Sequence, residues 1–458
     1  MDERITRLNE RPVAPGQAVV YWMQRSQRSS SNLALNEAVE RANELRQPVV
    51  CYFGLDDSYP QTTARDYRFV LEGLQDVAQG LRERNVGLVV RREQTVQGIA
   101  RLAGELKASL IVTDESHLRL GRRRRKQAAL LLEDFDIPLW SVDNDVVVPV
   151  RVIGREQYAA RTIRPRLHRL RDQYLHPIPN PFAVAAPPQV ESAVDLKNLD
   201  GTLAVLQVDR RLERSALYVG GERAAQQTLE RFVTELLVRY HTHRNDASVD
   251  VTSNLSPYFH FGHMDPWTAA LTVGRADVPR EAKESFLEEL LVRRELASNF
   301  TFYNEQYDTL AGLPEWARAT LQEHASDERE QVYTLTELAE ARTGDDLWNA
   351  SQQELLLTGS MHGWVRMYWG KRILEWTRTP ATALSHTLHL NNLYALDGRD
   401  PVSFANILWC YGKHDRPWPR RPIFGTVRSM TRSGANRKFD VARYIGRIDA
   451  LKEVNSQA

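Results

Sequence analysis

Apolar positions follow two rhythms along this chain, and one gives way to the other near residue 222. In the first third, short unbroken apolar runs alternate with stretches where apolar residues recur every three or four positions. Val19-Val20-Tyr21-Trp22-Met23, Val49 to Phe53, Leu88-Val89-Val90, Leu110 to Thr113 and Leu139 to Val142 predict five buried strands. Leu33 to Leu45, residues 64–85, Thr95 to Leu106 and Arg122 to Phe135 predict the helices between them. The first is entered through Ser29-Ser30-Ser31-Asn32, all good capping types. Strand–helix alternation predicts a Rossmann-like α/β domain over 15–150, its parallel sheet covered on both faces. Ligands of such sheets sit beyond the carboxyl ends of the strands.

Both rhythms fade over 151–221, where Arg, Pro and Ala dominate, as in P-I-P-N-P-F (177–182). Proline disfavours helix and central strand, so a long surface-running linker is expected, with a short docked helix near Tyr158, Arg161, Arg164 and Arg166. From 222 to 458 only the helical rhythm remains, at 222–243, 281–303, 345–357, 361–378, 380–388 and 436–451. Eight of the ten tryptophans lie there, so an all-α domain with an aromatic interior is expected.

Bulk composition narrows the class. A chain of 458 residues is long for one core and suits two domains. Net charge is +1, so no global charge announces nucleic acid or membrane. Cys51 and Cys410 stand far apart and outside any metal spacing, which excludes a disulfide framework and a Cys-based zinc site. With no apolar run of about 18 residues and no apolar signal core at the N-terminus, a soluble, intracellular, cytoplasmic or nuclear protein is expected. No G-x-G-x-x-G or G-x-x-x-x-G-K-[ST] occurs, which counts against the common nucleotide-binding loops.

Several stretches carry candidate chemistry, each beside a plainer reading. Trp369 and Trp376 stand seven apart, on one face of a helix and about 10.5 Å apart along it, with Arg366 one turn earlier. They are core aromatics or members of a row that passes electrons. Thr252-Ser253-Asn254-Leu255-Ser256-Pro257 is a helix cap or an anion site for a pyrophosphate. Glu289 and Arg293, one turn apart, are a surface ion pair, or Glu289 is a carboxyl aimed at a ligand carbonyl. Leu390 to Pro401, L-N-N-L-Y-A-L-D-G-R-D-P, predicts a tight irregular loop in which Asp397 and Asp400 flank Arg399. The basic run Arg122 to Lys126 is a solvated helix start or a phosphate contact. Residues 411–447 carry ten Lys or Arg against two Asp, next to Trp409 and Trp418. Such interleaving suits stacking on bases while neutralising phosphates.

Taken together, F-L-E-E-L-L-V-R-R-E-L-A-S-N-F (286–300), M-H-G-W-V-R-M-Y-W-G-K-R-I-L-E-W (361–376) and L-D-G-R-D-P (396–401) resemble the class II deoxyribodipyrimidine photolyases of the cryptochrome/photolyase family. The likeness runs from Tyr21 to about Tyr444. It implies an antenna-type α/β domain and a helical domain that holds FAD. It also implies light-driven repair of cyclobutane pyrimidine dimers in double-stranded DNA, by an electron from excited FADH⁻ to a flipped-out dimer, with the protein a monomer. An antenna of the 8-hydroxy-5-deazaflavin type is the family-guided expectation, and no metal is. The rival reading is a cryptochrome-like photoreceptor that binds FAD without repair. A third, a light-independent single-strand binder, leaves the tryptophan row unexplained. The expected lesion pocket and the lack of a long C-terminal tail favour repair.

The resemblance also implies roles. Tyr240 and Thr252, Ser253, Asn254, Leu255 and Ser256 are expected at the FAD diphosphate and ribityl. Asn391 is expected to face flavin N5, with Arg366 and Asp397 as an ion pair beside the isoalloxazine. Glu289 is expected to bond a thymine carbonyl, and Met367 and Trp409 to wall the lesion pocket. Trp418 and Arg428 are expected to fill the hole left in the duplex, and Arg244 to contact the DNA backbone. Trp369, Trp348 and Trp376 are expected as proximal, middle and outer members of the photoreduction chain. The chain departs from its relatives at three points: Ser31-Asn32 where Asp-Asn is common, Arg293 where some carry an aromatic, and Asn392 in place of an acidic residue.

Overall fold

The structure, a computed structural model, describes residues 2–457. Six strands form one sheet: β1 (Ile5–Arg7), β2 (Ala18–Trp22), β3 (Val49–Gly54), β4 (Gly87–Arg91), β5 (Ala108–Asp114) and β6 (Leu139–Val142). Their spatial order is β1-β6-β5-β2-β3-β4. All neighbours are parallel except β1, which runs antiparallel to β6 at the edge, Ile5 opposite Val142. The sheet is therefore mixed rather than wholly parallel. Three residues reading I-T-R carry no apolar run, so this edge strand left no pattern to detect.

Each residue of β2 is buried, and alternate side chains feed different cores. Val19 and Tyr21 join Cys51 and Val112 on one face, while Val20 and Trp22 join Tyr52 and Ile111 on the other. Period-two alternation inside an unbroken apolar run marks a strand covered on both sides. The covering helices are Leu33–Leu45, Ala64–Glu83, Thr95–Glu105 and Arg119–Glu133, close to the predicted spans. Asn32 caps the first by accepting the N–H of Leu35 at 3.0 Å.

The stretch read as a linker is more ordered than its composition suggested. It carries Val150–Ile153, Ala160–Tyr174 and Leu199–Val205, and the second of these tolerates Pro165 in its interior. From it Arg164 grips Glu288 of the helical domain through two hydrogen bonds of 2.9 and 2.6 Å.

The helical domain packs around Trp348, Tyr368 and Trp369, all buried. Short helices missed by periodicity, among them Pro266–Arg275, Glu315–Glu323 and Pro401–Cys410, span three turns or fewer. Two long helices are interrupted by π turns, at Phe232–Leu236 and Glu288–Arg293, and they meet where Phe232 packs on Phe286 at 4.9 Å. The predicted loop 390–401 is a correction: helix Pro380–Tyr394 carries Asn391 and Asn392, and only 395–400 is irregular. The asparagine amides have tertiary partners, Ser403 and Gln61, so they do not compete with the helical backbone.

Residues 397–400 do not form a surface turn, since Asp397, Arg399 and Asp400 are all buried and point to different partners. Arg399 pairs with Asp66 at 2.8 Å, and Asp400 with Arg25 at 2.6 Å. Arg25 also pairs with Asp145, which pairs with Arg294. This chain of ions joins the two domains. The basic run serves a similar end. Arg122 pairs with Glu305 across the domain boundary, Arg124 with Asp56, and Arg125 is buried against Glu115. Arg123 and Lys126 stay exposed, as a solvated helix start would be, while the other three arginines of the run are taken up by these ion pairs.

Candidate functional site

Helix Gly363–Trp376 supplies one side of the site. Its Trp369 and Trp376 do not touch each other in the row. Trp348, from helix Asp346–Thr358, stands between them. The Trp348 and Trp369 rings are parallel within 5° at 6.1 Å, and Trp348 meets Trp376 edge-on at 5.7 Å. Each inner indole is pinned by its N–H, Trp369 to Gln352 Oε1 and Trp348 to the Trp369 carbonyl, both at 3.0 Å. A row fixed in this way keeps π systems in contact with no rotamer freedom left.

One turn before Trp369, Arg366 lies against Asp397 with both guanidinium nitrogens, at 3.0 and 3.1 Å. Ser256 donates to the same carboxylate at 2.7 Å, so a residue of the 252–257 segment reaches the ion pair. Asp397 Oδ1 is buried and poorly aligned with the arginine, leaving it short of a hydrogen-bond donor. Asn391 gives its Nδ2 to Ser403 Oγ at 2.6 Å.

Beside this cluster lies a cavity of about 230 Å³ lined by Tyr240, Ser253, Ser256, Glu289, Arg293 and Trp409, among others. Asn391, Arg366 and Asp397 are not on its lining. Asp397 is connected to it through Ser256, and Asn391 through Ser403 of the helix whose Val402 and Ala405 line it. Thr252 bonds Asn254 at 3.2 Å, and Leu255 is buried in the core, so neither faces the cavity. Burial, and then the charge of Glu289, push the Tyr240 hydroxyl up to about 12, which keeps it a donor.

Glu289 does not pair with Arg293. It sits in the π turn Glu288–Arg293, whose wider spiral takes residues four apart off one line. Arg244 bonds Glu289 instead at 2.5 Å, and Arg293 lies 3.4 Å from Glu288. The two side chains given separate duties by resemblance, Arg244 and Glu289, are thus bound to one another.

Trp409 lines the cavity, and off its lining Arg428 lies over Trp409 at 5.7 Å and over Trp418 at 4.7 Å. Met367 is half-buried behind them, its sulfur 3.9 Å from Cys410 Sγ, and does not line the cavity. Of the other arginines in 411–447, Arg421 and Arg437 have no ion pair among the described residues, whereas Arg420 and Arg432 pair with Glu323 and Asp346.

A second cavity, of about 200 Å³, opens where the carboxyl ends of β2, β3 and β5 meet, at the point where the strand order reverses. Asp114 holds the loop after β2 there by accepting the N–H groups of Gln24, Arg25 and Ser26 at 2.9–3.0 Å. Gln24 and Gln27 line the cavity, and Gln24 Nε2 and Gln27 Oε1 are buried without partners among the described residues. Arg25 and His260, which bond Asp400, line it as well, while Asp400 lines the first cavity.

Sequence reading passed over Gln352, Ser403, Lys371 and the Arg25–Asp400 pair. None belongs to a local pattern, because each acquires its meaning from a partner more than ten residues away.

The described residues contain no cluster of ligands for a metal ion and no helix long and apolar enough to cross a membrane. Residues 19–182 match the family model described as DNA photolyase. The chain is 42% identical to a deoxyribodipyrimidine photo-lyase of Methanothermobacter thermautotrophicus, over 98% of this chain and 99% of that protein. It is 38% identical to the enzyme of that name from Arabidopsis thaliana, over 96% of this chain and 90% of the other. The one from Potorous tridactylus is 37% identical, over 94% and 81%. In fold the chain is similar to a class III photolyase from Agrobacterium tumefaciens, with a TM-score of 0.75, 20% identity and coverage of 95% and 87%. It is also similar to an archaeal photolyase from Sulfolobus tokodaii solved with two FAD molecules, with a TM-score of 0.73, 17% identity and coverage of 94% and 90%.

Proposed function

This chain belongs to the deoxyribodipyrimidine photo-lyases of the DNA photolyase family, and we propose that it repairs cyclobutane pyrimidine dimers in double-stranded DNA by light-driven electron transfer. The observation that carries the site assignment is the convergence of a stacked indole row, a buried Arg366–Asp397 pair and a cavity holding Glu289 and Trp409. The relatives named here are photo-lyases, and no feature of the site favours a sensor without repair.

The residues present suit FAD. The under-satisfied Asp397 Oδ1 can accept from a flavin N–H or a ribityl hydroxyl, and Ser253, Ser256 and Tyr240 offer hydroxyls along the cavity. Asn391, reached through Ser403, would stand on the side of the ring system, and Tyr240 with Ser253 and Ser256 would meet the ribityl and phosphates. When bound, FAD supplies the photoexcited electron; the protein supplies position and electrostatics.

The chain's own part follows from the geometry. Arg366 holds a fixed positive charge at the inner end of the indole row, where negative charge would be stabilised. Trp369, Trp348 and Trp376 lead from that point by ring contacts of about 6 Å. Glu289 would trade its bond with Arg244 for a carbonyl or imide of the dimer, leaving Arg244 to neutralise a phosphate. Trp409 would pack on the extruded dimer, while Trp418 and Arg428 would occupy the gap in the stack. The second cavity, with two unpartnered glutamine amide groups and aromatic walls, suits a flat polar antenna such as an 8-hydroxy-5-deazaflavin.

The test is dimer clearance from a thymine-dimer duplex under blue light and in darkness, with an absorption spectrum of the purified protein. Flavin bands and clearance only under light are expected. Equal clearance in darkness would sink the reading. Affinity for the duplex is expected to fall steeply with salt, in proportion to the phosphates contacted.

A further inference from the structure

Lys371 is wholly buried and makes no salt bridge among the described residues. Its Nζ donates to the carbonyl of Cys410 at 2.6 Å and stands 5.1 Å from the centre of the Trp409 indole. Cys410 ends helix Pro401–Cys410, so that carbonyl lacks a partner inside the helix, and a cation is favoured at this end. The approach depends on Gly370, where a Cβ would lie 2.9 Å from Cys410 Sγ. A buried ammonium with one hydrogen bond is costly to hold, and Met or Leu would fill the same space without that cost. The charge is kept at the one place where it touches Trp409, a wall of the cavity.

We infer that Lys371 is a positioning residue whose ammonium fixes the Trp409 indole and thereby sets the affinity of the cavity for a pyrimidine dimer turned out of the duplex. The inference rests on the reading of that cavity given above and adds a residue and a pH dependence to it. Burial pushes the Lys371 ammonium down to about 8. Asp415 favours the charged form and Arg428 opposes it, while the neighbouring Cys410 thiol is itself pushed up to about 11 by burial and stays neutral. Raising the pH through that point removes the cation from the indole and weakens the tie to the helix end. The contact is worth about tenfold in affinity for a desolvated cation on an indole.

The experiment is binding in darkness of the FAD-loaded protein to a duplex carrying one thymine dimer, and to the same duplex undamaged, from about pH 7 to about pH 9. The wild type is expected to lose dimer affinity about tenfold across that range, with undamaged duplex unaffected. Lys371→Met is expected to bind the dimer weakly at every pH, and Lys371→Arg, which cannot lose its charge, to bind it equally at both ends. Photoreduction of FAD without DNA reports that each variant is folded. A flat wild-type profile overturns the inference, as does Lys371→Met with wild-type affinity and slope. Because the profile needs no variant, misfolding of Lys371→Met leaves the inference open to refutation. Failure to distinguish the two duplexes at any pH would overturn the photo-lyase reading itself, and the inference with it.

Discussion

The Trp348 indole lies parallel to that of Trp369, 5° between planes and 6.1 Å between centroids, although the two come from different helices. This contact bridges the gap between Trp369 and Trp376, which share a helix but not a ring contact. Trp369→Phe is expected to abolish photoreduction of oxidised flavin while sparing repair by protein reduced chemically beforehand. Transient absorption and dimer clearance measure the two separately. Loss of both would remove Trp369 from the assigned role.

Glu289, on the lining of the cavity, is held by Arg244. Glu289→Ala is expected to lower the yield of repair per absorbed photon by about tenfold, the scale of one charge-assisted hydrogen bond. FAD content, read from the absorption spectrum, should stay unchanged. Arg244→Ala should instead weaken binding of damaged and undamaged duplex alike and reduce the salt slope of binding by about one.

Gly370 packs where a Cβ would meet Cys410 Sγ at 2.9 Å, whereas a Cβ at Gly274 meets nothing within 4 Å. Gly370→Ala is therefore expected to destabilise by roughly 1–3 kcal/mol through overpacking. Gly274→Ala, within helix Pro266–Arg275, should be neutral or stabilise by up to about 1 kcal/mol. Thermal midpoints of the two variants, compared with wild type, should move in opposite senses or differ by several degrees.

Glu295 is buried and accepts the N–H of Val147 at 2.8 Å, and burial pushes its carboxyl up to about 8. The folded chain therefore holds a proton that the unfolded chain gives up near pH 4.5. This contribution to stability is fully present below the unfolded value and is lost as pH rises through about 8. Glu295→Gln, which keeps an acceptor for Val147 and cannot ionise, should flatten that decline. Thermal midpoints measured from about pH 5 to about pH 9 decide it. An unchanged slope would show that Glu295 is ionised in the folded protein.

Much was legible in local pattern. The alternation of apolar runs with amphipathic stretches located the covered sheet, because a strand buried on both faces must be apolar at successive positions. Capping chemistry placed the first helix at Leu33, and Asn32 caps it. The edge strand Ile5–Arg7 was hidden, since three residues with one apolar side chain carry no rhythm. Asp400-Pro401 reads as part of an irregular loop, yet Pro401 begins a helix capped by Asp400.

By itself, the sequence determined the elements that depend on near neighbours, and the family through several motifs in order. It also supplied the residue types of the site: indoles, an arginine, acids and hydroxyls. Only the tertiary structure decided which of them meet. Trp348 between Trp369 and Trp376, Arg244 rather than Arg293 on Glu289, and a lone ammonium behind Trp409 each depend on helices distant in the chain. Propensity acts over one or two turns, whereas a cavity wall is set by how whole helices pack, down to a π turn and a single missing Cβ.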